Sequence, residues 1–496
     1  MGENIMKTSS KITAALLLAA MLLSCAACGN GAAGNDAQTD TVKADAANTT
    51  AAAETNALDS LKSADYGGKT FTILQRTNYE YEFEAPEETG DLINDAVYAR
   101  NRTVEDKYNI SIKTVTMQAD WGGEDKFNSA LTNTIMAGDA AYDLVAGYAA
   151  MILGVVQPGY FVDWYDIPNI DLSKPWWSEQ IADSLTINNK MYAMTGDIAL
   201  SVWKEMMTIY VNKKMTENYG ITGIYDTVRD GSWTFDKLNQ YAATASGDLD
   251  GDGKFTKSDL YGYASIYSTE VDTFMPAFDI QVVGRSSDGG LEYTINNEHT
   301  VGALDKLASF FFGGGNYTFL VDGSMQYEDM CVMFKEDRAM FLAGYLALAE
   351  NLRDMDTDYG MIPYPKYDDT QEKYYSTCRD NFSLILFPGT ATDLDYIGAV
   401  TEALCAYGYS EVVPVYYNTV LKDKYSRDAD SAEMLDIIRD NLVYDVGYLN
   451  SFALDGAGHI FVGLVRSGKT DFASEYAKKE ASINEKLAQM LEAYKD

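Results

Sequence analysis

The sharpest chemistry in the chain sits at residues 248–259, Asp-Leu-Asp-Gly-Asp-Gly-Lys-Phe-Thr-Lys-Ser-Asp. Oxygen donors fall at positions 1, 3, 5, 7 and 12 of a twelve-residue loop, with glycine at position 6. That is the spacing by which one short loop wraps a Ca²⁺ ion. Asp248, Asp250 and Asp252 supply carboxylates, Lys254 its carbonyl and Asp259 the closing carboxylate, with Thr256 at the water-linked position. Asp259 stands where a longer Glu is usual, so its reach is shorter. Four carboxylates repel one another unless a cation joins them, so the expected ion is structural calcium. The alternative is a solvated acidic turn. No second loop of this kind follows, so calcium signalling is not expected.

Other chemistries are thinly supplied. Only two histidines occur, His299 and His459, which leaves little for His-based zinc sites or for Ser-His or Cys-His catalysis. Beyond the leader the cysteines are Cys331, Cys378 and Cys405. An odd, widely spaced set reads as buried free thiols, not a disulfide framework. The net charge of −36 repels phosphate backbones, which excludes nucleic acid as a partner. It equally disfavours electrostatic attachment to anionic lipid.

The 496 residues are 47% apolar and 12% aromatic, with 36 Tyr. The length suits two lobes or domains. Tyrosine offers a flat apolar face with a hydroxyl at its tip, which suits sugar rings and also ordinary interfaces.

The N-terminus supplies an address. Lys7 and Lys11 precede an apolar run from Ile12 to Leu23, shorter than the roughly 20 residues of a spanning helix. A charged start, a short apolar core and a small-residue exit read as an export signal. Leu22-Leu23-Ser24-Cys25 resembles a bacterial lipobox, which implies lipidation of Cys25; Cys28 is a second candidate, and an ordinary cleaved signal is the plain alternative. Stable anchoring takes two acyl chains. Residues 1–24 are then the signal peptide. Residues 25–65, rich in Ala, Thr, Asn and Asp, form a flexible tether that cannot fold alone.

The body opens with strand alternation at 69–74, helical periodicity at 91–108 with Leu92, Val97, Val104 and Tyr108 on one face, a strand at 110–115, a helix at 124–137 and a strand at 141–145. This β-α-β-α-β order predicts a mainly parallel sheet covered on both faces. Ligands of such sheets lie beyond the carboxyl ends of the strands, here 75–79 and 146–149. Residues 190–197 and 207–212 read as strands flanking a polar loop. A helix starts near Trp233-Thr-Phe-Asp-Lys-Leu238, with Thr234 as its cap.

These segments resemble family 1 extracellular solute-binding proteins, the receptors of ABC importers. Phe334-Lys-Glu-Asp-Arg-Ala-Met-Phe-Leu-Ala-Gly344 is similar to the family's helix-then-strand pattern closed by a glycine turn. Asp358-Tyr-Gly-Met-Ile-Pro-Tyr-Pro-Lys366 is similar to the strand that returns the chain to the first lobe. An amphipathic helix over 471–494 closes the chain. The resemblance implies an α/β, two-lobed periplasmic-binding-protein-like fold of type II, with a hinge of crossing strands and a cleft between lobes. Residues 66–200 and 366–410 are assigned to the N-terminal lobe, 201–365 and 411–496 to the C-terminal lobe.

It also implies a monomeric, non-enzymatic receptor, held on the outer face of the bacterial membrane, that passes a carbohydrate to permease subunits. An oligosaccharide is the expected ligand, with a peptide or another small solute as alternatives. Ligand-binding candidates are Tyr148 after the third strand, Asp197 at the lobe crossover, Tyr267 beyond the calcium loop, Tyr345 after Gly344, and Tyr448. Trp121, Trp176, Trp177 and Trp203 are looser candidates. Two rivals belong to other classes. A cell-surface glycoside hydrolase needs two opposed carboxylates with one tuned as an acid, and an adhesive surface protein needs no saturable small-ligand site.

Overall fold

Residue alternation from Lys69 onward builds the first sheet. The computed structural model describes residues 58, 60–119, 121–286, 290–321, 327–418, 421 and 429–495. The chain divides into two units, 1–53 and 54–496, and every described residue lies in the second. The leader, Cys25 and most of the tether fall outside the described residues.

β1 (Lys69–Arg76), α1 (Leu92–Tyr108), β2 (Ile110–Met117), α2 (Glu124–Met136) and β3 (Leu144–Tyr148) follow in the expected order. β1 is paired in parallel with β2 on one side and β3 on the other, the arrangement two helical crossovers produce. Asp91 caps α1 by accepting the N–H groups of Ile93 and Asn94. Val97, Val104 and Tyr108 are buried along its inner face, but Leu92 is 51% exposed in the first turn. The inward stripe therefore begins one turn later than the sequence pattern suggested.

The second sheet takes β4 (Met207–Asn212), then, after α3 (Phe235–Ala242), β5 (Leu260–Ile266), β6 (Thr318–Val321), and, after α4 (Tyr327–Lys335), β7 (Ala339–Tyr345) and β8 (Tyr359–Ile362). β4 lies antiparallel between β8 and β7, and β5 lies parallel between β7 and β6. Thr234 caps α3 through Lys237 N–H. The chain then returns to the first sheet, where β9 (Ser383–Leu386) runs antiparallel to β3. α5 (Leu394–Tyr407) packs on α1, α6 (Ala429–Asp440) on β8, and α7 (His459–Ser467) on α8 (Phe472–Ala493).

Two expectations are corrected. Residues 190–197 form no strand; Met194 makes a single bridge with Ile385 and Gly196 another with Trp177. The backbone there is packed tightly between Trp176 and α5, because a Cβ on Gly196 would meet the Trp176 carbonyl at 2.3 Å and Cys405 Sγ at 3.0 Å. Gly344 closes no turn. It sits inside β7, where a Cβ would come within 2.7 Å of Leu348 Cδ2, so close packing excludes a side chain.

Three segments cross between the sheets side by side. Met207 N–H donates to Thr377 O at 2.9 Å, Arg379 N–H to Glu205 O at 2.8 Å, and Ser376 N–H to Asn441 O at 2.9 Å. The molecule thus has two α/β lobes joined by a hinge of crossing strands. Cys331, Cys378 and Cys405 are buried free thiols. Among the described residues no helix is long and apolar enough to cross a membrane.

Candidate functional site: the interlobe cleft

Where the crossing strands meet the carboxyl ends of β2 and β3, a cleft of about 740 Å³ opens, lined there by Trp121 and Tyr148. Its floor is built on the hinge. Arg379 Nη1 lies 3.2 Å from Glu205 Oε2, and its Nε donates to Thr269 Oγ1 at 3.3 Å. The guanidinium lies 4.4 Å from the Tyr345 ring centroid and 5.2 Å from that of Tyr327. Tyr79 OH donates to Glu205 Oε1 at 3.3 Å. Arg76, the last residue of β1, stacks 3.7 Å over Tyr79 and 5.3 Å from Tyr148. Its Nη2 donates to Asn381 O at 2.7 Å, which ties the end of β1 to the entry of β9.

The opposite wall follows β5. Asp272 accepts Tyr448 OH at 2.8 Å and Arg466 Nη2 at 2.7 Å. Burial pushes its carboxyl up to about 6, against the pull of Arg466. Asp380 also lines the cleft. Burial, then the nearby Asp272 charge, pushes it up to about 6 as well. Glu270 is fully buried, raised by desolvation, and accepts Tyr327 OH at 2.6 Å.

The mouth is aromatic. Trp121 is 71% exposed and Phe452 41% exposed, and their rings stand 5.9 Å apart. Phe452 is backed by His459 at 4.9 Å. Exposed flat rings above a floor of charged hydrogen-bonding groups suit a ligand with apolar faces and a polar rim.

The structure places the sequence candidates unequally. Tyr148 and Tyr267 line the cleft. Tyr345 lies beneath Arg379, edge-on to Tyr327 at 5.3 Å. Tyr448 stands behind Asp272 as its hydrogen-bond donor. Asp197 lies apart from them, buried in the first lobe, where it accepts Trp203 Nε1 at 2.7 Å. Trp176 and Trp177 are buried and both donate to Glu402. Arg379, Asp380, Asp272, Arg466 and Phe452 had no local signal. Only the Arg379-Asp380 pair, placed just ahead of the apolar run 382–387, offered a hint.

The acidic loop forms a separate feature. Ligand oxygens of Asp248, Asp250 and Asp252 lie within 4.8 Å of one another. Asp248 accepts Gly251 N–H at 2.7 Å and Gly253 N–H at 2.8 Å, and Lys254 N–H donates to Asp252 at 2.7 Å. Gly253 has φ +77°, the turn that favours glycine. Asp259 is buried and its carboxylate accepts Leu249 N–H at 2.8 Å and Thr256 N–H at 2.7 Å. The side chain expected to close the loop thus braces its backbone.

No protein-family model matches the chain, and no curated protein matches it. Solved structures do. A cyclo/maltodextrin-binding protein complexed with maltotetraose superposes with a TM-score of 0.55 at 14% identity, covering 85% of this chain and 98% of that one. An ABC substrate-binding protein from Listeria monocytogenes in complex with cycloalternan gives 0.53 at 14%, covering 85% and 99%. UgpB from Mycobacterium tuberculosis in complex with glycerophosphocholine gives 0.54 at 12%, covering 86% and 99%. The chain therefore has the two-lobed fold of these binding proteins.

Proposed function

We propose that this chain, built on the fold of ABC-transporter substrate-binding proteins, is a family 1 solute-binding lipoprotein that captures a carbohydrate in the interlobe cleft and presents it to a permease. The observation that carries the reading is the cleft itself: aromatic rings at its mouth, and charged groups on a floor made from the hinge. A ligand touching both walls holds the lobes together, and it favours closure only by binding that state more tightly. An oligosaccharide suits the cleft volume of about 740 Å³, within the range of small-molecule sites.

The remaining parts of the reading are proposals of the same kind. Cys25 carries the lipid, residues 25–65 tether the body to the outer face of the membrane, and the protein works as a monomer without chemistry on its ligand. The permease recognises the closed pair of lobes. Asp248, Asp250 and Asp252 with the Lys254 carbonyl hold a structural calcium ion, and Asp259 shapes the loop around it.

Calorimetric titration of the purified full chain against an oligosaccharide panel tests the reading, with chromatography of each ligand afterwards. One-site binding with intact ligand is expected. Turnover of the ligand contradicts the receptor reading in favour of hydrolysis, and no saturable binding favours an adhesive role.

A further inference from the structure

The cleft does not end at its aromatic mouth. Phe452 stands 4.9 Å from His459, the first residue of α7, and α7 carries two hollows on adjoining faces. Val462 and Arg466 face the cleft, while Ile460 and Leu464 face a second groove of about 380 Å³. His459 and Gly463 line both, because residues four apart on a helix stand one above the other. The two residues therefore form the sill between the hollows. The far wall of the groove is α8, through Glu475 and Lys479, with Lys479 held to Asp455 at 3.1 Å. α7 and α8 pack on each other, so the shape of the groove does not depend on lobe closure.

Gly463 is the unexpected residue on that sill. It lies in the middle of α7 and is exposed, where glycine weakens a helix relative to alanine. Packing does not call for it, since a Cβ there would meet nothing within 4 Å. Neighbours account for other helical glycines: a Cβ on Gly302 would meet the Tyr367 hydroxyl at 2.8 Å, and one on Gly398 would strike the Pro168 carbonyl. A helical glycine without a packing reason, at the low point between two hollows, fits a ligand that passes close over the backbone.

We propose that the ligand is an oligosaccharide longer than the cleft holds, whose outer units pass Phe452, cross the sill at Gly463 and lie in the groove between α7 and α8. The inference rests on the carbohydrate reading above and adds a length preference to it. Ile460 and Leu464 offer apolar surface to sugar rings, and Ser467, Glu475 and Lys479 offer hydrogen-bonding groups around them, the mixture such ligands need.

The test is calorimetry with the full chain at neutral pH, using malto-, cello- and manno-oligosaccharides, each from disaccharide to octasaccharide. In whichever series binds, affinity is expected to go on rising beyond the tetrasaccharide, with the octasaccharide at least about fivefold tighter. Ser467→Trp fills the groove at an exposed position outside the cleft; it should leave tetrasaccharide affinity unchanged and remove the long-chain gain. Gly463→Leu should remove the same gain while raising the thermal midpoint, as replacement of a helical glycine does. Affinity that levels off at the tetrasaccharide, or a gain that survives either variant, overturns the proposal and leaves the carbohydrate reading standing. Silence of all three series overturns both.

Discussion

Trp121 and Phe452 face each other across the mouth of the cleft, ring centroids 5.9 Å apart and planes tilted by 56°. One follows β2 and the other precedes α7, so the two lobes meet here through rings that remain exposed to 71% and 41%. Rings this open add little to folding, which burial drives. Trp121→Ala and Phe452→Ala should therefore leave thermal unfolding within about 1 °C of wild type while weakening oligosaccharide binding by about 1–2 kcal/mol each, roughly 5–30-fold. Calorimetry beside a melting curve separates the two effects.

Arg379 is a joint of the hinge as well as the cleft floor. Its backbone and side chain both reach Glu205, and its guanidinium covers Tyr345. Arg379→Ala leaves Glu205 as an uncompensated, nearly buried charge. A loss of about 3–5 kcal/mol is expected, read as a lower urea midpoint, together with weakened ligand binding. Arg379→Ala combined with Glu205→Gln should recover much of the stability and little of the binding.

Asp197 predicts a pH dependence. Burial pushes its carboxyl up to about 7, against the Trp203 hydrogen bond that pulls it down. The folded state therefore holds this proton more tightly than the unfolded chain, whose carboxyl titrates near 3.8. The penalty of ionising it is absent below about pH 4 and complete above about pH 7, so its contribution to stability falls as pH rises between them. Asp197→Asn keeps an acceptor for Trp203 Nε1 and removes that penalty. The variant should match wild type at pH 4 and exceed it by about 1–3 kcal/mol at pH 8 in urea titrations. Equal stability at both pH values would show that Asp197 is not desolvated.

The loop at Asp248, Asp250 and Asp252 makes a cation-specific prediction. Three carboxylates within 4.8 Å repel until an ion is bound. Calcium at about 1–10 mM, the range of extracellular modules or above, should raise the thermal midpoint by roughly 2–4 °C. Chelator should reverse it, magnesium should not replace it, and Asp252→Asn should abolish the shift. Asp259→Ala should instead lower the midpoint with or without calcium, because its carboxylate holds Leu249 and Thr256 backbone N–H groups.

Much of the first lobe was legible because its signals are local. Alternation at β1 and β2, helical period at α1 and α2, and the Thr234 cap each depend on neighbours a few residues away. The closing helix was equally plain, with Phe472, Tyr476, Ile483 and Leu487 buried as its period requires. The cleft was half legible. Tyr148 and Tyr267 could be placed because each stands at the end of a recognisable strand. Arg379 could not, since its partners Glu205, Tyr327 and Tyr345 come from three separate segments, and only the paired crossing strands bring them together. Asp197 shows the reverse failure. Its turn looked like a crossover in sequence, but Trp203, six residues on, folds back to bury it. Residues 190–197 misled for a related reason: Met194 makes a lone bridge to Ile385, Tyr192 packs edge-on against Tyr494 at 5.1 Å, and Gly196 lies against Cys405, so the segment serves several neighbours and no single ladder.

The most direct measurement is a crystal structure of the protein grown with a saturating oligosaccharide. Ligand is expected between the two lobes, with a sugar ring against Trp121 or Phe452 and polar atoms on Arg379 and Asp380. Ligand bound outside the cleft, or a cleft left empty at saturation, contradicts it.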